Sequence, residues 1–409
     1  MALLTTLAIT RLAVRLFKNS NAFIQNIDTQ YSDEFAVEGA KIGDTLRIRL
    51  PNDYTVADGP ALSAQDTNEQ ATSLVVNYQR HVDTTFSAAQ LSLSMQDFSE
   101  RVAAPMMNNL AGNVAKTVMG GVEGGVSNFV ANFDGGGAII QPTSQTVLNA
   151  GAMLSKRSAQ TFDRSLVAHP NTMANAVGTM QGLFNPASDI SRQYRKAQIY
   201  NALNHRWFED QTVLVHTTGS FTNGTVNGAD QSGLSLAVNA ITGTLNKGDI
   251  ITIAGVNSVN RVTKQDDGEL QQFVVTANVL NGATTIPIYP AIVAPASSGP
   301  GAGAEVQYQT VQAAPANLAA IALVNTAGER YRKNISYVPQ LVTMATCDLK
   351  MPTGNGDAAR ANSNGLALRV SRKFYNVQTD QFVDRVDCLF GFTFLRPEWG
   401  VVVAAPVDS

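Results

Sequence analysis

The chain has 409 residues, 44% of them hydrophobic and 15% charged, with 32 glycines and 15 prolines; that length supplies cores for two or three domains and excludes a disordered or fibrous polypeptide. Charged residues fall well below the roughly one quarter usual in soluble domains, and Ala, Thr, Asn, Gln, Ser and Gly fill the polar positions. With 29 Lys and Arg against 32 Asp and Glu, the net charge of −3 gives no chain-wide pull toward phosphate backbones and argues against dedicated DNA binding.

Residues 2 to 27 carry no acidic side chain. Arg11, Arg15 and Lys18 recur at helical spacing on one face, with Leu4, Leu7 and Leu12 elsewhere around it. This pattern suits a docking arm, and equally an ordinary first helix with a solvated basic stripe. The charges also break the only candidate apolar run far short of the ~20 residues that cross a bilayer. Apolar residues precede charges here, the reverse of a secretory signal, although an acid-free, Arg-bearing start shares features with a transit peptide.

From Ile42 to Leu50 the residues alternate, with Ile42, Leu46, Ile48 and Leu50 on one face and Thr45, Arg47 and Arg49 on the other. Leu74, Val76, Tyr78 and Val82 then alternate with Asn77, Gln79, His81 and Asp83. The polar stretch 51 to 73 between them, with Asp53, Asp58 and Asp66, is longer than a simple connection and predicts a hairpin reaching away from its own domain. An arm and a loop unable to bury themselves on their own subunit need neighbours.

Ser94 and Asp97 have capping-box spacing, and Phe98, Val102, Met106, Leu110, Val114 and Val118 recur every four residues, predicting a long helix with one apolar stripe. Pro105 bends it early unless the helix starts nearer that residue. Gly120, Gly121, Gly124 and Gly125 end it, and Gly135 to Gly137 mark a turn. Helix then strand follow near Met153, Leu154, Phe162, Leu166 and Val167, then a helix from Met173 to Leu183 and a further segment from Tyr194 to Phe208. Between about Thr217 and Pro315 the pattern turns to short β runs with turn signals every ~8 to 12 residues. The candidate strands are Leu234 to Val238, Ile250 to Ile253, Phe273 to Val279, Thr284 to Tyr289 and Glu305 to Thr310, giving a small barrel or sandwich inserted in an α+β chain. A last hairpin places Leu366, Leu368, Val370 and Phe374 opposite Phe382, Val386, Cys388, Phe390 and Phe392.

Chemistry-bearing patterns are sparse. Cys347 and Cys388 lack CxxC spacing and read as buried free thiols. His81, His169, His205 and His216 show no metal or hydrolase spacing. The glycine clusters lack the Lys-Ser/Thr of a phosphate cradle, and neither GxSxG nor an EF-hand run occurs, despite Asp266-Asp267-Gly268. No catalytic, cofactor or metal site is assigned, and the chain reads as a non-enzyme whose extended parts carry contact area.

The run from Asp249 to Val256 (DIITIAGV), continued by NSVNRVTK to Lys264 and by ELQQFVVTA from Glu269 to Ala277, resembles the inserted domain of the major coat proteins of P-twenty-two-type short-tailed phages. Arg369 to Arg372 (RVSR), Asp384 to Asp387 (DRVD) and Leu395 to Glu398 (LRPE) are similar to the end of the same family. The resemblance implies the α+β Hong Kong ninety-seven-like phage coat fold with an inserted all-β, telokin-like barrel. It places an N-terminal arm at 1–30, an extended loop at 31–84, a P-domain with its spine helix at 85–127 and 353–409, an A-domain at 128–216 and 316–352, and the insertion at 217–315. The spine helix would run from about Gln96 to Met119.

The same resemblance implies a major capsid protein of the virion, assembled in the host cytoplasm as hexamers and pentamers of itself on an icosahedral lattice. Its implied partners are a scaffolding protein, a portal protein and a cement or decoration protein, around double-stranded DNA that it encloses without reading its sequence. No cofactor, membrane or isopeptide cross-link enters. Arg11, Arg15, Lys18, Arg47, Arg49, Asp53, Asp58 and Asp66 are the candidate subunit-interface residues. The rival readings are a cellular cargo-encapsulating shell of the same fold and a β-rich surface or adhesion protein.

Overall fold

The four-residue recurrence of Met106, Leu110, Val114 and Val118 becomes the buried face of a helix, Ala104–Val122, which also buries Met107, Ala111, Ala115 and Met119. Pro105 sits in its first turn, where a missing N–H leaves no helical bond unmade. The expected Ser94–Asp97 cap and the start near Gln96 lie outside the described residues. The helix passes through Gly120 and Gly121, and the chain turns at Gly124 and Gly125. The computed structural model describes residues 6–19, 21–30, 45–54, 56, 59–62, 69–87, 104–122, 124–179, 199, 201–295, 306–352, 357–363, 366–379 and 381–407. Two compact units emerge, one of Met1–Arg49, Ala71–Val118 and Val342–Leu395, the other of Leu50–Gln70, Met119–Leu341 and Arg396–Ser409.

The first unit is built on the 14-residue strand Gln381–Phe394. Leu366–Asn376 pairs with its first half, Val342–Cys347 with its second, and Tyr78–Ser87 runs antiparallel along it from Gln381 to Phe390. The expected C-terminal hairpin is present, with Asp357–Ser363 added as a further strand. Tyr78 stacks on both Phe390 and Phe392, with ring centroids 5.5 and 5.6 Å away.

The loop's own hairpin is Thr45–Arg49 with Ala71–Val75, in the register Thr45↔Val75 to Arg49↔Ala71. The sequence merged Leu74 to Val82 into one strand, whereas two strands with different partners occupy that range. Gly391 permits the crossing of the hairpin over the long strand, since a Cβ there would stand 2.2 Å from the Val75 carbonyl oxygen.

The amino-terminal helix Thr6–Asn19 packs on Asp357–Ser363 and Leu366–Asn376 of its own chain. Ala13, Val14 and Phe17 are buried there, followed by Phe23 and Ile24 of the short helix Ala22–Gln25. This corrects the expectation that the arm cannot bury itself on its own subunit: small Thr10, Ala13 and Val14 let the helix approach the sheet, while Leu7 stays 43% exposed.

In the second unit, Gly400–Pro406 lies parallel to Asn128–Val130 and antiparallel to Arg330–Tyr337, which continues antiparallel to Ser165–Ala168. His205–Glu209 adds in parallel to the last of these, and Val215–Thr217 pairs with Arg330–Tyr337. Every residue from Gly400 to Ala405 is buried, as suits a strand covered on both faces. The helices Ser144–Lys156 and Pro170–Thr179 cover it, with Leu154, Leu166, Met173, Trp207, Val401 and Val403 in one core.

The β-rich insert forms a five-stranded sheet in the order Gly233–Ala237, Thr285–Ile292, Asp266–Val275, Ile250–Val259, Ile321–Leu323. Its own core contains Leu236, Ile251, Ile253, Phe273, Val275, Ile286 and Ile288. One expected strand is corrected: Val306–Tyr308 is a 3-10 turn, because Gln307 and Gln309 are buried polar groups and Thr310 returns to the Val293 carbonyl.

Candidate functional site

Arg11 and Arg15 are exposed on the arm helix, and Arg47 and Arg49 are exposed on the loop's first strand. The backbone of Lys18 belongs to the arm helix, while its side chain, Asp58 and Asp66 lie outside what is described. Asp53 is engaged within the chain: it pairs with Arg261 of the insert, Oδ2 to Nε at 2.8 Å. Arg261 also donates through Nη1 to Glu398 at 2.5 Å, and Arg396 reaches the same carboxylate oxygen at 3.3 Å. Burial disfavours the Arg261 charge, but its bonds to Asp53 and the field of Glu398 outweigh that and raise its pKa.

The carboxy-terminal motifs RVSR and DRVD lie on neighbouring antiparallel strands, so the first residue of one faces the last of the other. Arg369 stands opposite Asp387 and donates to it at 2.7 Å, while Arg372 reaches Asp384 at 3.3 Å. Asp387, fully buried, also accepts from Arg385 at 2.6 Å and Gln79 at 3.4 Å. Several donors on one buried carboxylate meet the condition under which such a charge is tolerated.

The four histidines take structural places. His81 is exposed beside Asp83 at 3.0 Å. The backbone N–H of Asn171 donates to His169 Nδ1 at 3.2 Å. His205 is buried, with Nδ1 2.8 Å from the Leu203 carbonyl and Nε2 2.8 Å from the Ser336 hydroxyl. Burial, with Arg164 nearby, lowers its pKa and keeps the ring neutral, so Nδ1–H donates and Nε2 accepts from Ser336. A serine beside a histidine superficially suggests a nucleophile pair, yet Ser336 and His205 are 0% and 2% exposed, and the bond ties the strand Arg330–Tyr337 to the strand His205–Glu209. His216 pairs with buried Asp249 at 2.7 Å.

Both cysteines are buried and free. Burial, then the charge of Asp387, pushes the Cys388 thiol up to about 12. Among the described residues, no three His, Cys, Asp or Glu side chains gather as metal ligands, and no helix is long and apolar enough to cross a membrane. Among the described residues, one cleft of about 360 Å³ is lined by Asp163, Arg164, Asn204 and Arg206, and another of about 370 Å³ by Phe129, Phe133, Met153 and Gln272.

Sequence reading missed Arg261, Glu398, Asp249 and Arg164 as organising charges. Arg261, Glu398 and Asp249 stood inside the quoted motif runs, but nothing in one sequence joins residues separated by 208 or 137 positions.

Comparison with curated protein sequences found no match. Among solved structures, a chain of Mycobacterium phage Che8 is 9% identical, with 95% of this chain and 90% of that one covered and a TM-score of 0.46. The virus-like particle from Pyrococcus furiosus is 8% identical over 97% and 98% of the two chains, with a TM-score of 0.38. The CUS-3 coat protein I-domain is 30% identical over 25% of this chain and 96% of its own, with a TM-score of 0.20. A family model described as P22 coat protein, gene protein 5, matches residues 39–404. That match takes in the loop hairpin, the long helix, the insert and the carboxy-terminal sheet, and the chain belongs to the P22 coat protein family.

Proposed function

We propose that the chain is a major capsid protein that assembles as hexamers and pentamers into the icosahedral head of a tailed, double-stranded DNA phage, through a scaffolded procapsid that expands on packaging. The observation that carries this reading is the coat-family match over residues 39–404. Binding energy comes from repetition: contacts of about 800 Å² per partner can each be weak, and a closed lattice multiplies them. In this reading the β-rich insert is the telokin-like insertion domain, and Arg47 and Arg49 are offered to neighbouring subunits. Scaffolding and portal proteins are the working partners in the host cytoplasm.

Electron microscopy of the purified chain, made alone and with the scaffolding protein of the same phage, tests the reading. Closed particles of uniform diameter are expected in the scaffolded preparation. Monomers alone in both preparations would overturn it, and particles purified around an enzyme in place of DNA would transfer it to a cargo compartment.

The arm yields a separate expectation. Arg11 and Arg15 project from the helix while Ala13, Val14 and Phe17 hold it, so Arg11→Gln with Arg15→Gln should change stability by less than about 0.5 kcal/mol. Scaffold association, measured by sedimentation at low and high salt, should weaken and lose part of its salt dependence. Unchanged association would remove the arm charges from assembly.

A further inference from the structure

Three stretches far apart in sequence meet at the guanidinium of Arg261. Asn52 and Asp53 come after the first strand of the loop hairpin, Arg261 and Lys264 lie in the insert, and Arg396, Glu398 and Trp399 precede the last strand. Asp53 and Glu398 take separate edges of the guanidinium, at 2.8 and 2.5 Å, which only a planar fork with several donors can do at once. Arg396 completes a balanced set of two cations and two carboxylates, and it lies over the Trp399 ring, 5.6 Å from the centroid. Beside the cluster, Tyr308 donates to Asn52 at 3.4 Å, and Lys264 donates to the Gln307 carbonyl at 2.6 Å. The Arg261, Asp53 and Glu398 side chains are 24%, 22% and 26% exposed, so the pairs are sheltered from full solvent screening without being sealed.

Farther along the loop the character reverses. Tyr54, Val56 and Leu62 are 57%, 92% and 95% exposed, so these apolar residues have little of this chain's surface against them. The described attachments of the segment to the insert are therefore polar ones at Asn52 and Asp53. Without Arg261, Glu398 keeps Arg396, while Asp53 loses its ion-pair partner. The cluster is thus asymmetric: its failure falls on the loop.

We propose that Arg261 is a positioning residue that pins residues 52–53 to the insert in the single chain, so that the insert sets the pose of the extended loop before any neighbour arrives. The pinning concerns one subunit, and only its use in a shell rests on the capsid reading. It gives the insert a task inside its own subunit, in addition to any contact it makes with others.

The test is a distance measurement between spin labels on the full chain carrying Val56→Cys and Val262→Cys, which are 92% and 71% exposed. The native thiols are buried and leave labelling to the introduced ones. Labelled chain is diluted with unlabelled chain so that every distance is internal. One narrow distribution is expected with Arg261 in place. Arg261→Gln and Asp53→Asn should each abolish the narrow peak, and the double variant should be no broader than either single one, as for two partners of one contact. Arg261→Lys should restore part of the peak.

An unchanged peak in both single variants, or a broad distribution in the parent chain, would overturn the proposal. Should Arg261→Gln fail to fold, Asp53→Asn on the loop still decides. Particle formation is scored separately by microscopy: a pinned loop with no particles refutes the shell, and particles with an unpinned parent loop refute the pin.

Discussion

Replacing Arg164 with Met should destabilise the second unit by about 3 kcal/mol, the sum expected when buried carbonyls lose a shared donor. Arg164 is 3% exposed and, among the described residues, faces no carboxylate. Its donors instead end on the Gln160 carbonyl at 2.9 Å, the Gly151 carbonyl at 2.8 Å, the Ala159 carbonyl at 3.3 Å and the Ser155 hydroxyl at 2.9 Å. Gly151 and Ser155 belong to the last turns of the helix Ser144–Lys156 and Ala159 and Gln160 to the segment that leaves it, so one side chain ties the helix end to the chain that follows. The guanidinium charge also meets the negative end of the helix dipole. Burial lowers the Arg164 pKa, but from so high a starting value that the group stays charged at neutral pH.

Methionine fills similar space and strips the Gln160 and Ala159 carbonyls of this donor, at about 1 to 3 kcal/mol each, while the Gly151 carbonyl keeps the Ser155 hydroxyl at 3.1 Å. Arg164→Lys keeps a charge and three donors but loses the planar spread, so about half the loss should return. Urea midpoints and hydrogen exchange of the helix amides read the effect. A midpoint for Arg164→Met indistinguishable from the parent would show that water, not Arg164, satisfies this helix end.

How much of this was visible in the sequence depends on the range of each signal. The long helix was legible because Met106, Leu110, Val114 and Val118 repeat a period that only a helix makes apolar. The carboxy-terminal hairpin was legible because alternation is local and Asn376 begins its turn. The strand around Ile251 and Ile253, and that around Phe273, likewise arise from β-branched and aromatic runs between turns. The arm was misjudged because Val14 and Phe17, which do bury, are set among the small Thr10 and Ala13, while the conspicuous Leu7 stays exposed. Val306 and Tyr308 imitate strand alternation, and the tertiary demands of buried Gln307 and Gln309 override it. Ile321–Leu323, beyond the expected edge of the insert, is too short to announce itself and gains its strand from Ile251–Ile253.

The polar joints were illegible for a different reason. Hydrophobic periodicity repeats, so several residues report one element together. An ion pair such as Asp53 with Arg261 is a single event between distant positions, and either residue alone looks like a solvated surface charge. Only the motifs RVSR and DRVD carried their pairing in the letters, since antiparallel strands align Arg369 with Asp387.

Asp249 is the most consequential of these joints. It is fully buried, accepts from His216 Nε2 at 2.7 Å through one oxygen, and accepts the backbone N–H groups of Gly219 at 3.0 Å and Asn246 at 2.7 Å through the other. His216 lies on Val215–Thr217, a strand of the seven-stranded sheet, while Asp249 immediately precedes the insert strand Ile250–Val259. Lys333 adds a bond from the same sheet to the Gly248 carbonyl at 3.0 Å. Gly219 permits the close crossing, since a Cβ there would stand 2.1 Å from the Thr244 carbonyl oxygen. Asp249→Ala takes the acceptor from two buried donors, on His216 and Gly219, and from the half-buried Asn246 N–H, and should cost about 4 kcal/mol. Asp249→Asn should cost only about 1 to 2 kcal/mol, because its carbonyl can serve both backbone groups while its amide faces His216 Nε2, which accepts once the ring proton moves to Nδ1. The insert core is built from its own residues, so hydrogen exchange in Asp249→Ala should show the strands Ile250–Val259 and Asp266–Val275 still protected while residues 215–219 and 246–249 lose protection. Loss of protection throughout the insert would make Asp249 part of the insert's own folding, and unchanged protection at 215–219 would remove it as the joint.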